Sequence, residues 1–339
     1  MNITIPYYED NTRISNSSLG WFKISPRYFK DKLDGKVQDE KVPAFETGTM
    51  IHMYILQSDE FWDNYVILDY ETPKSKEQRI FCETYAHSTE LDHDLRLLEA
   101  FNSAYRANGK SDNKKLLEAK EIALKYESYI KYLDIQNKTV ISYADLTRLR
   151  NISDSINNHK KAKELLTNIP SLYESNNEFH INWDYYVKVA DNSFILPCKS
   201  LLDRLVINHK EKLIRLIDLK TTSDISNFNS KSFWKFDYGR QLAFYKLAIR
   251  WYFENELKLN FDEYTIEYYI IAIETINNNE IRVFKIHEDI INNSTVDISQ
   301  IMTEINWHIQ NNLWDHRIDY YKGDGSEVIT LYDNKGEIQ

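Results

Sequence analysis

The stretch Lys212-Leu213-Ile214-Arg215-Leu216-Ile217-Asp218-Leu219-Lys220 constrains this chain more than any other. It is almost wholly apolar through Leu219 and contains neither glycine nor proline. A short run of this kind reads as a strand covered on both faces, and so as the centre of a sheet. The strand ends in Asp-x-Lys. Alternation puts Asp218 and Lys220 on one face. An acid there can hold a divalent cation. The ammonium can orient or deprotonate a water, or stabilise charge on a phosphorane-like transition state. Asp203 lies on the preceding strand, where a hairpin would bring it beside Asp218. Two carboxylates and the Leu219 carbonyl make a hard oxygen site suited to Mg²⁺ or Mn²⁺.

Asp-x-Lys is common by chance, and an exposed Asp–Lys pair contributes only about 0–1 kcal/mol. The rest of the chain decides how it is read. Phe179, Ile181 and Trp183 alternate with polar residues, as in a strand. Phe194–Leu196 and Leu201–Ile207 read as a further strand pair. Thr221–Ser232 reads as a polar loop and Tyr238–Phe253 as an amphipathic helix. Tyr264–Ile276 and Ile281–Ile286 read as a hairpin across Asn277-Asn278-Asn279. A last helix is expected over Ser299–Leu313.

Upstream, residues 1–45 look irregular apart from a short amphipathic stretch opened by Pro26. Thr47-Gly48-Thr49 precedes an apolar run, which predicts a helix start there. Residues 75–168 are mostly helical in pattern. Within them, Ser142 with Asp145 forms a capping box that opens a helix through about Leu166. The order predicts an α/β or α+β fold with a mixed sheet. It is organised as a single domain over 1–339, with a helical insertion over 75–168 and a catalytic sheet over 178–290.

Composition removes several function classes. With two cysteines, Cys82 and Cys198, the chain cannot form a four-thiolate zinc site or Fe–S cluster. Neither a dinucleotide fingerprint nor a P-loop occurs, so ATP is not expected. No apolar run is long enough to span a bilayer. Met1–Asp10 lacks the pattern of a signal peptide, and a cytoplasmic location is expected. The net charge is −10, which taken alone argues against nucleic-acid binding.

Five segments overturn that last expectation. They are Gly48-Thr49-Met50-Ile51-His52, Glu178, Asp203, Ile217-Asp218-Leu219-Lys220-Thr221 and Gln241-Leu242-Ala243-Phe244-Tyr245. In this order they resemble the PD-(D/E)XK nuclease superfamily, in its RecB/Cas4-like branch. Cys198 to Arg204 and Tyr238 to Tyr245 narrow the resemblance to RecE-type exonucleases (exodeoxyribonuclease VIII) and their phage relatives. It covers about residues 45–250.

The resemblance implies a restriction-endonuclease-like core and a Mg²⁺- or Mn²⁺-dependent exonuclease. Such an enzyme degrades duplex DNA from 5′ to 3′ without ATP, in recombination or phage DNA processing. Asp203, Asp218 and the Leu219 carbonyl would be metal ligands, with His52 and Glu178 beside them, and Lys220 the catalytic lysine. Glu174 is nearly as good a match as Glu178. Gln241 and Tyr245 would position the active site. Leu202 stands where the motif has its proline. The family further implies a homo-oligomeric ring, a single-strand annealing partner and a bacterial or phage-infected cytoplasm. Beside the motif, Lys231, Trp234, Lys235 and Arg240 are candidates to contact the DNA end or a displaced single strand. With Lys220 they would form a basic channel in an otherwise acidic molecule.

Overall fold

The apolar stretch becomes the third of five strands in a sheet whose spatial order follows chain order. This is seen in a computed structural model that describes residues 7–37, 43–106, 109–135, 137–167 and 170–326. The strands are β1 (Glu174–Val189), β2 (Asn192–Asn208), β3 (Leu213–Thr222), β4 (Thr265–Glu274) and β5 (Ile281–Ile286). β1, β2 and β3 form an antiparallel meander, β3 pairs parallel with β4, and β4 pairs antiparallel with β5. A parallel pair needs a crossover, and the segment between β3 and β4 supplies it. The architecture is α+β, a mixed sheet flanked by helices, as the element order predicts. Ile214, Leu216, Ile217 and Leu219 are all fully buried, as a central strand requires.

β2 is one strand of 17 residues rather than two pieces. Pro197, between those two pieces, sits beyond the end of β3, because β3 pairs only with Arg204–Asn208. There the N-terminal segment covers the open edge. Ile14 N–H donates to the Pro197 carbonyl at 2.9 Å, and Lys199 N–H donates to the Ile14 carbonyl at 2.8 Å. A proline is tolerated at such a position, where its missing N–H breaks no ladder.

The N-terminal part of the described chain forms α1 (Asn16–Ile24), α2 (Pro26–Leu33) and α3 (Pro43–Leu56). The described part of the region 1–45 is therefore largely helical and not irregular. Ser15 caps α1 in a reciprocal box with Ser18, and Ser25 caps α2 with Pro26 at its first position. α3 starts before Thr47, so Gly48 lies inside the helix. The reading of Met1–Asp10 falls partly on residues 1–6, outside the described residues.

The crossover contains α4 (Tyr238–Tyr252), and α5 (Glu288–Asn311) follows the sheet. α5 begins eleven residues before the expected Ser299, with His287 as its cap. Leu242, Ala243, Phe244 and Tyr245 of α4 join Ile214, Leu216 and Leu205 of the sheet in one core. Gly239 lets α4 approach α5, since a β-carbon there would lie 2.8 Å from Ile290 Cγ2.

Met53–Asn151 form a second compact unit. It contains helices at Ser58–Asn64, Lys76–His87, His93–Ala104, Asp112–Lys125 and Glu127–Asp134, and a parallel pair of short strands, Tyr65–Ile67 and Thr139–Ile141. The Ser142–Asp145 capping box forms as the sequence predicts, with Asp145 N–H donating to Ser142 Oγ at 3.0 Å and Ser142 N–H to Asp145 Oδ2 at 3.1 Å. The helix it opens stops at Asn158. His159 is extended and caps a separate helix, Lys160–Leu166. Among the described residues, no helix is long and apolar enough to cross a membrane.

Candidate active site

Three acids align on one rung of the sheet. The β1–β2 register pairs Asn177 with Arg204 and Phe179 with Leu202, which sets Glu178 opposite Asp203. The β2–β3 register ends at Arg204 with Ile217, and its next step sets Asp203 opposite Asp218. At this rung β2 loses its alternation. Leu196, Cys198 and Leu202 face the core on one side of Asp203, and Leu205 and Ile207 face the same core beyond it. Glu178 has a φ of +47°, a left-handed conformation rare for a residue with a side chain. Past the last ladder bond, Asp203 Oδ2 accepts the Leu219 N–H at 2.7 Å. The carboxylate thereby replaces a strand partner and fixes the backbone between Asp218 and Lys220.

α3 adds His52. Its Nδ1 lies 3.6 Å from Asp203 Oδ2. Gly48, one turn earlier, faces Thr221, and a β-carbon there would lie 3.1 Å from Thr221 Oγ1. The glycine therefore allows α3 to close on the end of β3. His52, Glu178 and Asp203 each present a ligand atom, and these atoms lie within 4.8 Å of one another.

Asp218 lies outside that trio and is 1% exposed. Neither of its oxygens accepts a well-aligned hydrogen bond, although Lys220 Nζ stands 2.6 Å from Oδ2 as an ion pair. With Lys220 facing Oδ2, Oδ1 is left without a donor, and a buried carboxylate oxygen in that state is rare and calls for a partner. The donor set of one imidazole, three carboxylates and a nearby backbone carbonyl fits a divalent cation such as Mg²⁺ or Mn²⁺.

The electrostatics agree with that fit. Burial, then the charges of Asp203 and Asp218, raise the Glu178 carboxyl to about 7. Burial also raises Asp203 and Asp218, with Lys220 opposing it in both. Burial and then Lys220 lower the His52 imidazole to about 4, which leaves a neutral ring with a free lone pair at neutral pH. Burial works against the Lys220 ammonium, but Asp218 and Asp203 outweigh it and raise its pKa. Lys220 is therefore protonated as the site stands. It can hold a water or neutralise charge on a phosphate, but it has no free lone pair with which to take a proton.

Comparison with known proteins bears on this arrangement. Residues 174–323 match the family model described as a PDDEXK-like domain of unknown function (DUF3799). Residues 174–323 are a PDDEXK-like domain. A solved structure from Eubacterium rectale, described as a "putative exonuclease", shares the fold at a TM-score of 0.51 and 13% identity, covering 100% of each chain. No curated protein matches the sequence.

The PDDEXK-like domain places the other expected residues unevenly. Gln241 Nε2 donates to the Tyr245 hydroxyl at 2.9 Å. Burial, then Asp218 and Asp203, raise that hydroxyl well above the ordinary phenol range, so the pair borders the acids. Glu174 is exposed at the start of β1, opposite Ile207 and 3.6 Å from His209, so Glu178 and not Glu174 is the acid at the site. Lys231, Lys235 and Trp234 are exposed. Arg240 is not. It is 6% exposed, with its guanidinium donating to Asp237 Oδ2 at 3.0 Å and to the Asn16 carbonyl at 3.1 Å. It ties α4 to the start of α1 and does not line a channel. Tyr238, which follows Trp234 in the aromatic stretch leading into the motif helix, has its ring 5.2 Å from Lys220 Nζ.

Proposed function

We propose that the protein is a Mg²⁺-dependent exonuclease that hydrolyses phosphodiester bonds of duplex DNA, from 5′ to 3′ and without ATP, in recombination or phage DNA processing. The single observation that carries this reading is the rung Glu178–Asp203–Asp218, with Lys220 and His52 at its edge. It supplies ligands for a cation and a fixed ammonium on one end of a buried strand. Asp203, Glu178 and His52 would hold the cation, with Asp218 and the Leu219 carbonyl beside them. A cation held there would polarise the scissile phosphate and lower the pKa of a bound water. Lys220 neutralises negative charge that grows on the phosphate, held in place by Asp218. His52 stays neutral and leaves its lone pair available. Gln241 and Tyr245 keep the α4 side of the site rigid. The family resemblance extends the proposal to a single-strand annealing partner, a homo-oligomeric ring and the cytoplasm of a bacterial or phage-infected cell.

The test is digestion of end-labelled linear duplex DNA and covalently closed circles with Mg²⁺. Linear DNA should be shortened from its 5′ ends and circles left intact. Lys220→Ala should lose roughly 10²-fold or more of the rate, the scale of losing one preorganised charge stabiliser. Unchanged digestion by that variant would sink the proposal. Cutting of circles would favour a PD-(D/E)XK endonuclease instead. A protein that binds DNA but cleaves neither form would be an inert assembly module of the same fold.

A further inference from the structure

The N-terminal segment carries an aromatic side chain that neither the motifs nor the rung explains. Tyr8 is 81% exposed, and a lone exposed tyrosine is usually of no consequence. Its support sets this one apart. The Lys199 side chain is 7% exposed, and its ammonium donates to the backbone carbonyls of both Tyr7 and Asp10. A buried charge on β2 is thus committed to pinning the backbone on either side of Tyr8. The same ammonium lies 4.6 Å from the centre of the Tyr7 ring. Tyr7 in turn packs edge-on against His180 at 5.3 Å and against Tyr8 at 5.2 Å between ring centres. His180 is two residues along β1 from Glu178, on the strand that carries the first acid of the rung.

We infer that Tyr8 is a base-stacking residue, whose open ring face takes the nucleobase adjoining the phosphate held at the Glu178–Asp203–Asp218 rung. The inference rests on the nuclease reading and adds a nucleotide contact to it. A ring on a pinned backbone is ordered before substrate arrives, so stacking on it costs little conformational entropy. A tyrosine face accepts any base, because every base has a π-face. This suits an enzyme that works along a strand without reading its sequence.

The test uses short duplexes with 2-aminopurine at the 5′- or 3′-terminal position, bound in Ca²⁺ so that binding is read apart from cleavage. Wild-type protein should bind and change the 2-aminopurine fluorescence at one of the two ends through stacking. Tyr8→Ala should bind roughly 5- to 100-fold more weakly and lose that fluorescence change. Tyr8→Phe and Tyr8→Trp, which keep the ring, should retain both. Because Tyr8 is exposed, the alanine variant should keep the wild-type melting temperature. Equal affinity and fluorescence for Tyr8→Ala would overturn the inference, as would Tyr8→Phe failing as badly as Tyr8→Ala. Failure of wild-type protein to bind any duplex would instead bring down the nuclease reading on which the inference stands.

Discussion

Glu178 combines three costs at one position. It takes a left-handed backbone at φ +47° within a strand, which costs on the order of 1–3 kcal/mol for a residue with a side chain. It faces Asp203 across the ladder, and like charges opposite one another destabilise a sheet. It is also withdrawn from water, and that withdrawal is the largest cause of its rise from 4.5 to about 7. A cation among these groups would offset the last two costs. Without one, the sign of the linkage is fixed. A carboxyl whose folded pKa is raised holds its proton more tightly when folded. It therefore contributes stability below the ordinary glutamate range that is lost as pH rises through about 7. In EDTA the melting temperature should fall between pH 4.5 and 7, and Glu178→Gln should flatten that fall. At pH 8 the variant should be more stable than wild type by on the order of 1–2 kcal/mol. A steeper or unchanged slope in the variant, measured by thermal melts, would show that Glu178 is not the strained group. The residue also marks how far the sequence could be read. Asp218 and Lys220 stand out because two residues on one strand share a face by alternation alone. Choosing Glu178 over Glu174 needs the register between strands, which depends on the whole hairpin.

Elements were legible where local chemistry decides them and obscure where packing does. The central strand, the hairpin ending at Ile281–Ile286 and the Ser142–Asp145 cap all follow from alternation, turn residues or a reciprocal hydrogen bond. The first half of α5 does not, because Asn292-Asn293-Ser294-Thr295 has weak helix propensity and is held in the helix by tertiary contacts. β2 crosses Pro197 because the N-terminal segment lies alongside it, a partner some 180 residues away in sequence. Gly239 shows the same dependence on packing. Alanine would favour the α4 helix by about 1 kcal/mol, but its methyl group would meet Ile290 Cγ2 at 2.8 Å and Ser294 Oγ at 3.1 Å. Ile290 is β-branched and close to its own backbone, so it cannot swing away freely. Overpacking of this kind costs about 1–3 kcal/mol. Gly239→Ala should therefore lower stability by about 1 kcal/mol net in a denaturant titration, against the stabilisation that propensity alone predicts. A rise in the midpoint would mean that α4 and α5 separate without cost.

On the scale of the whole molecule, a net charge of −10 and a DNA substrate are compatible only if the binding charge is local. The candidates are Lys220 at the rung and exposed Lys231 and Lys235 on the segment leading into α4. Arg240 leaves this group because Asp237 and the Asn16 carbonyl already hold its guanidinium. Counterion release makes the count measurable, since each phosphate neutralised adds about −0.9 to the slope of log affinity against log salt. Three cations predict a slope of roughly −3 for duplex DNA, shallow for a nucleic-acid binder. Fluorescence anisotropy with labelled duplex, Ca²⁺ present and KCl varied, measures it. Lys231→Ala and Lys235→Ala should each make the slope shallower by about one. Arg240→Ala should leave it unchanged and lower the melting temperature instead, because the arginine joins α1 to α4. A wild-type slope of roughly −6 or steeper would require a basic tract beyond these residues, and the acidic surface would then not be what confines binding to the site.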